Sequence, residues 1–356
     1  MKIIINNDLR KIILSATKVS DTVSIKTIKN SMTMISANSN SLFFKGVYAN
    51  KTEVENVEFV LGKKPLELIR MLDLTEEIVI SKTDRGIEVK SGDTRASFAE
   101  EKEFEGLDLD MNLNEASVFD IDAVKRVIYA ASTENIQAAL NCIEFSINDN
   151  KCSFICSDSL RVARVTEELE PFNAKVSQVK DCEFLIHKNE FSKLASILQG
   201  KVAFSYLPSV NKVIFINGPI MIGVKCVNEP ILPLGKFCDE LKKTTNSIFV
   251  DRAELIKSIQ KTLLIDNKVS IEINNNEVKV SSINKNADLS TTIKVSVDNI
   301  SVPTTVYLNA KYALDMLNAI DDEEINIYIE SPLRPIGCWN EKICNVLLPI
   351  DPSSNN

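Results

Sequence analysis

Residues Val306–Asp321 read VYLNAKYALDMLNAID, and how this stretch folds decides how the chain is organised. Its opening residues alternate apolar and polar, as in a half-buried strand, and its later apolar residues fall at three-to-four spacing, as on one face of a helix. The same strand-then-helix pattern occurs twice more. Phe59–Asp73 reads FVLGKKPLELIRMLD and Phe184–Leu198 reads FLIHKNEFSKLASIL. A second strand follows each copy: EIVIS after Glu77, KVAFSY from Lys201 and EINIYI from Glu324. One unit recurring at roughly 120-residue spacing predicts three copies of one domain.

Working outward, each copy is preceded by the same series. Met1–Asn7 alternates as a strand, Asp8 stands where a helix cap belongs, and Leu9–Val19 has helical periodicity. Strands are predicted at Ser31–Ser36, Ser41–Ala49 and Val57–Leu61, with a hairpin turning at Gly92–Asp93 after the first copy. The acidic, unpatterned run Glu100–Asn114 reads as a linker. VFDIDAVKRVIYAAS and IFVDRAELIKSIQKTL restart the series as strand, aspartate and helix, and Glu229–Thr245, with two prolines, reads as a connecting segment. Each repeat thus has two helices and about eight short strands, an α+β architecture with helices layered on antiparallel sheet. The predicted domains are 1–112, 113–245 and 246–356.

Composition narrows the function classes. The 356 residues allow two or three domains, each with its own core. No apolar run at the start is long enough for a signal peptide or a membrane span, so a cytoplasmic protein with no membrane partner is expected. Eight cysteines scattered through apolar segments predict buried free thiols. With a single histidine, CSFIC at Cys152–Cys156 is a poor zinc site. A net charge of −8 argues against indiscriminate coating of nucleic acid, yet leaves room for a cationic face. The three leading helices superpose without gaps: Leu9, Val124 and Leu255 coincide, as do Ile13, Ile128 and Ile259. At one exposed position all three carry a cation, Lys11, Arg126 and Lys257. Arg10, Lys64, Lys188 and Lys311 also fall on the helices. Although many such side chains merely solvate a helix face, in an acidic chain this excess predicts a functional cationic surface.

FVLGKKPLELIRML, VFDIDAVKRVIYAASTEN, LNCIEF…SFICSDSLRVA, VYLNAKYALDMLNAI and the terminal NVLLPI occur in the order of a known family. Over essentially its full length the chain resembles the bacterial DNA sliding clamp, the β subunit of DNA polymerase III. The resemblance implies a head-to-tail homodimer whose six similar domains close a ring around duplex DNA. It needs no cofactor and meets DNA polymerase and clamp-loader subunits through short linear motifs. Helix spacing fits this: twelve helices about 8–10 Å apart make a ring whose hole is near 25 Å, whereas six leave only about 10 Å. A duplex about 20 Å across passes the first and not the second.

The resemblance also implies sites. A peptide pocket would use Leu140, Ser157, Asp158, Ser159, Leu160, Arg161, Val162, Pro233, Val346, Leu348, Pro349 and Ile350, with Arg161 at the rim. DNA would meet Lys11, Lys64, Arg126, Lys188, Lys257 and Lys311. Ring closure would set Ala96 and Phe98 of one subunit against Leu264 and Ile265 of the other. Leu160 stands where the family usually has a ring-bearing polar residue, and Ala96 is small for its position. An enzyme is the rival class. Its only histidine, His187, sits at a turn whose sister copies carry Gly62 and Asn309, and no glycine-rich phosphate loop is present. A phage- or plasmid-type homologue that sequesters clamp-binding peptides would share the same sequence features.

Overall fold

The computed structural model describes residues 2–28, 32–50, 56–73, 75–101, 114–134, 137–283 and 287–351. Seven α-helices occur among them: α1 (Asn7–Ala16), α2 (Lys63–Met71), α3 (Ile121–Lys125), α4 (Lys188–Ile197), α5 (Gly235–Leu241), α6 (Arg252–Thr262) and α7 (Ala310–Asn318). The quoted stretch folds as read, a strand over Thr304–Asn309 running into α7. Asn309 caps α7 by accepting from the N–H groups of Lys311 and Tyr312, at 3.0 and 3.2 Å. Ala313, Met316 and Leu317 form its buried stripe. In α6, Asp251 caps by accepting from Glu254 N at 2.7 Å. In α1 the cap is Asn6, which accepts from Leu9 N at 2.9 Å; Asp8 lies within the first turn.

Two helices depart from expectation. The second leading helix stops at Lys125 and continues only as a 3-10 turn at Ile128–Ala130. The β-branched pair Val127–Ile128 weakens the helix, and the Tyr129 carbonyl is held by the Arg161 guanidinium at 2.9 Å. The predicted connector Glu229–Thr245 contains α5, whose Cys238 and Leu241 are buried. The predicted linker Glu100–Asn114 lies largely outside the described residues.

The chain gathers into two compact units. The first comprises Met1–Ile121, Leu169–Lys180 and Asn189–Cys226; the second comprises Asp122–Glu168, Asp181–Lys188 and Val227–Asn356. The second sequence repeat is therefore shared between them. In the first unit a nine-stranded sheet runs Glu170–Pro171, Ser117–Asp120, Lys201–Leu207, Lys212–Asn217, Ile220–Lys225, Leu42–Ala49, Met32–Asn38, Val23–Ile28, Glu58–Leu61. A four-stranded sheet runs Lys2–Ile5, Ile78–Thr83, Gly86–Ser91, Thr94–Phe98. Leu9 and Ile13 of α1, Leu66 and Ile69 of α2 and Phe191 of α4 are buried in this unit. Phe119 meets Phe204 edge-on, with ring centroids 5.5 Å apart.

The second unit repeats the plan. Its nine-stranded sheet runs Cys182–His187, Cys142–Asn148, Lys151–Ser157, Arg161–Glu168, Ile343–Leu347, Ile336–Trp339, Glu324–Ile329, Ser247–Asp251, Ser296–Asp298. Its four-stranded sheet runs Asp288–Lys294, Glu277–Ile283, Lys268–Ile273, Thr304–Asn309. Phe145 packs against Phe154 and Phe184 at 5.0 and 4.9 Å. Both nine-stranded sheets pass through a boundary between sequence repeats. The seam in the first pairs Ile220 with Gly46 and Val224 with Leu42, and the seam in the second pairs Arg161 with Leu347 and Val162 with Val346. All eight cysteines are free thiols, seven of them buried.

Candidate functional site

At the second seam a tight turn links the strands Lys151–Ser157 and Arg161–Glu168. The Asp158 carboxylate accepts from the N–H groups of Leu160 and Arg161 at 3.0 and 3.1 Å. The Ser157 hydroxyl accepts from Ser159 N at 3.1 Å and donates to Arg161 O at 2.8 Å. Ser159 takes the left-handed conformation, with φ of 76°, which Asp158 and Ser157 together hold in place. The result is a rigid turn that leaves the Leu160 side chain 48% exposed. Leu348 N donates to Leu160 O at 2.9 Å, extending the seam by one rung and setting a second leucine beside the first.

These residues border a groove of about 300 Å³. Leu140, Val162 and Val346 make its buried floor, and Leu160, Leu348 and Phe237 stand exposed at its mouth. Leu232, Pro233 and Leu234 form a wall, continued by α5, whose Cys238 packs with Val162 and Val346. Gln137, Ser157 and Ser159 add polar atoms. Of the residues expected in a pocket, Leu140, Ser157, Ser159, Leu160, Arg161, Val162, Pro233, Val346 and Leu348 come together here. Asp158, Pro349 and Ile350 do not line the groove. Asp158 is used by the turn, and Ile350 N donates to Tyr307 O at 2.7 Å. Gln137, Leu232, Leu234 and Phe237 are additions. The i, i+4, i+7 spacing of Leu234, Cys238 and Leu241 was the signal for α5, obscured by the two prolines before it.

Arg161 lies under the groove wall instead of at the rim. Its side chain is only 11% exposed. Nε donates to Asp158 at 2.8 Å, Nη1 to Asp315 at 2.6 Å and Nη2 to the Tyr129 carbonyl at 2.9 Å. The guanidinium also stacks 4.0 Å from the Tyr312 ring centroid. Burial alone would lower its pKa, but the two carboxylates hold it above the ordinary value. Such a group braces a wall; it has little left to offer a ligand.

The expected DNA-contacting cations fall into two groups. Lys11, Lys64, Lys257 and Lys311 are exposed on α1, α2, α6 and α7. Arg126 is exposed just beyond α3 and pairs with Asp321. Lys188 differs: it is half-buried, its Nζ donates to Ala131 O at 3.0 Å, and burial lowers its pKa. Arg10 also leaves the cationic face. It is buried and donates to the carbonyls of Arg70 and Leu72, at 2.9 and 2.8 Å, at the end of α2. Ala96 and Phe98 lie on Thr94–Phe98, the last strand of its sheet, and Leu264, 82% exposed, and Ile265 lie in the turn after α6.

With this geometry in hand, comparison with known proteins is informative. Three solved structures illustrate the likeness. A structure assigned to the DNA polymerase III beta subunit of Eubacterium rectale is 16% identical, with a TM-score of 0.87 over 99% of this chain and 100% of that one. The DNA polymerase sliding clamp of Pseudomonas aeruginosa with ligand is 14% identical, with a TM-score of 0.85 over 99% of both chains. The Helicobacter pylori beta clamp bound to a DNA ligase peptide is 15% identical, with a TM-score of 0.85 over 99% of this chain and 100% of that one. No curated protein sequence matches the chain. The chain has the fold of the bacterial sliding clamps over its whole length. Residues 242–350 match the family model described as DNA polymerase III beta subunit, C-terminal domain.

Proposed function

We propose that the chain is a DNA sliding clamp: a homodimeric ring of three domains per subunit, 1–112, 113–245 and 246–356, that encircles duplex DNA. It would tether a DNA polymerase and other partners through the groove beside Leu160, making them processive without catalysing a reaction itself. The observation that carries this reading is the clamp fold over the full chain, joined to the family match in residues 242–350. The groove supports it chemically. A buried aliphatic floor with exposed leucine and phenylalanine rims suits a short segment with one or two apolar anchors, and a relative of the same fold is a clamp bound to a DNA ligase peptide. Exposed Lys11, Lys64, Arg126, Lys257 and Lys311 suit sequence-independent phosphate contacts. Lys188 is the weakest member of that set. The sheet-end strand Thr94–Phe98 of one unit and the sheet-end strand Asp288–Lys294 of the other each have an edge that pairs with no strand among the described residues. Head-to-tail association of two copies would cover such edges.

Retention on DNA of different topology tests this. A ring loaded by a clamp loader stays on a nicked circle and slides off a linear duplex of the same sequence. Sedimentation over a concentration series should give a dimer. Equal retention on circular and linear DNA would overturn the ring, and peptide binding with no retention on either would leave a peptide-sequestering homologue.

A further inference from the structure

We infer that a second cavity, beyond the Leu232–Pro233 wall of the groove, receives a lysine or arginine side chain from the same segment that fills the groove. This rests on the groove being the peptide site. The cavity measures about 420 Å³ and shares Leu232 and Pro233 with the groove, so a segment crossing the exposed Pro233 enters it. An extended chain advances about 3.3 Å per residue, so side chains two to four residues from the nearest apolar anchor stand about 7–13 Å along the chain from it.

The feature that selects a cation is Glu144. It lies on the strand Cys142–Asn148, is only 6% exposed, lines the cavity, and makes no hydrogen bond or ion pair with any described residue. A buried carboxylate without a donor is costly, and no described residue answers it. Glu144, Ile155 and Arg164 are in register across three strands, so the Arg164 backbone lies about 9.5 Å away at ordinary strand spacing. Arg164 is already committed to Asp239 at 2.8 Å and to the Gly235 carbonyl at 3.4 Å. Glu183, diagonal to Glu144 on the neighbouring strand, accepts from Ser146 at 3.1 Å and adds a second negative charge. Lys236 also borders the cavity from α5, exposed and without an ion pair to either glutamate. Burial first and Glu183 second push the Glu144 carboxyl up to about 7, the behaviour of an acid that lacks a counter-ion. An incoming ammonium or guanidinium would supply one.

The test uses the full chain and fluorescein-labelled peptides carrying a glutamine followed by leucine and phenylalanine anchors. Each peptide has either lysine or glutamine at one of the positions two to four residues beyond the anchors, on either side. Anisotropy titrations give the ratio of the two affinities in the wild type and in Glu144→Gln, with circular dichroism confirming the fold. At one position lysine should tighten binding about tenfold in the wild type, as a hydrogen bond to a buried charge does. The ratio should fall to near one in Glu144→Gln. Lysine giving no gain anywhere, or a gain that survives Glu144→Gln, overturns the inference. Leu348→Asp separates the two readings: it should abolish binding of both peptide types if the groove is the anchor site. If neither peptide type binds the wild type, the groove reading falls and the cavity inference falls with it.

Discussion

Two charged side chains with opposite circumstances set the energetics around the groove. Arg161 is largely buried and paired, so Arg161→Met would take the guanidinium from Asp158, which keeps only its two backbone donors, and leave the Tyr129 carbonyl without its donor. Breaking a buried pair from one side costs about 3–5 kcal/mol, whereas Leu160→Ala, at an exposed position, should change stability by less than about 0.5 kcal/mol. Urea unfolding of both variants checks the contrast. Glu144 is buried and unpaired among the described residues. Its folded pKa of about 7 lies above the ordinary carboxylate value of 4.5, so between those values the folded chain holds a proton that the unfolded chain has lost. Stability contributed by the protonated group is therefore full below the unfolded value and lost as pH rises through the folded one. Relative to wild type, Glu144→Gln should gain stability from about pH 4.5 to 7, by at most about 3 kcal/mol. Urea midpoints across that range that stay parallel for the two proteins would contradict this. Neither role was legible in the sequence. The partners of Arg161 at Tyr129 and Asp315 are 32 and 154 positions away, and a glutamate in CIEF alternates like any strand residue.

Among the elements, local periodicity was a good guide where an apolar helical stripe follows directly on a strand. The helices α2, α4 and α7 begin within a few residues of where the apolar spacing puts them. Reading failed where long-range contacts or short length intervened. The strand Val23–Ile28 was not anticipated, because Thr27 occupies a buried place in its alternation. α3 was cut short by the Arg161 contact, and α5 spans only seven residues. The α1 cap shows how one residue misleads. Asp8 looks like a cap, but Asn6 makes the bond, so Asn6→Ala should cost about 1 kcal/mol. Asp8→Ala should cost a few tenths, since it loses only an exposed pair with Lys11 at 3.8 Å. Thermal melts of the two variants should rank them in that order, and a larger loss for Asp8→Ala would reassign the cap.

For the molecule as a whole, the exposure of the helix cations Lys11, Arg126 and Lys257 was legible, while the grouping into two units was not. Strand pairing between repeats leaves no periodic trace, since each partner strand alternates in its own right. Replacing Lys11, Arg126 and Lys257 together by glutamate should shorten retention of the loaded ring on circular DNA without unfolding it, as all three are exposed. The wild type should also lose affinity with added salt as counterion release weakens. Unchanged retention in the triple variant would remove the cationic lining from the proposed function.

The two seams bear on how such a chain can change over generations. Because Ile220–Lys225 pairs with Leu42–Ala49, and Arg161–Glu168 with Ile343–Leu347, the middle repeat shares a ladder with each neighbour. It cannot be swapped for a foreign copy as a self-contained cassette. Excised, it would bare two raw strand borders apt to recruit other chains. A lineage holding this architecture is thus free to rewrite side chains almost everywhere while inheriting all three repeats together, which is how a fold persists at 14–16% identity.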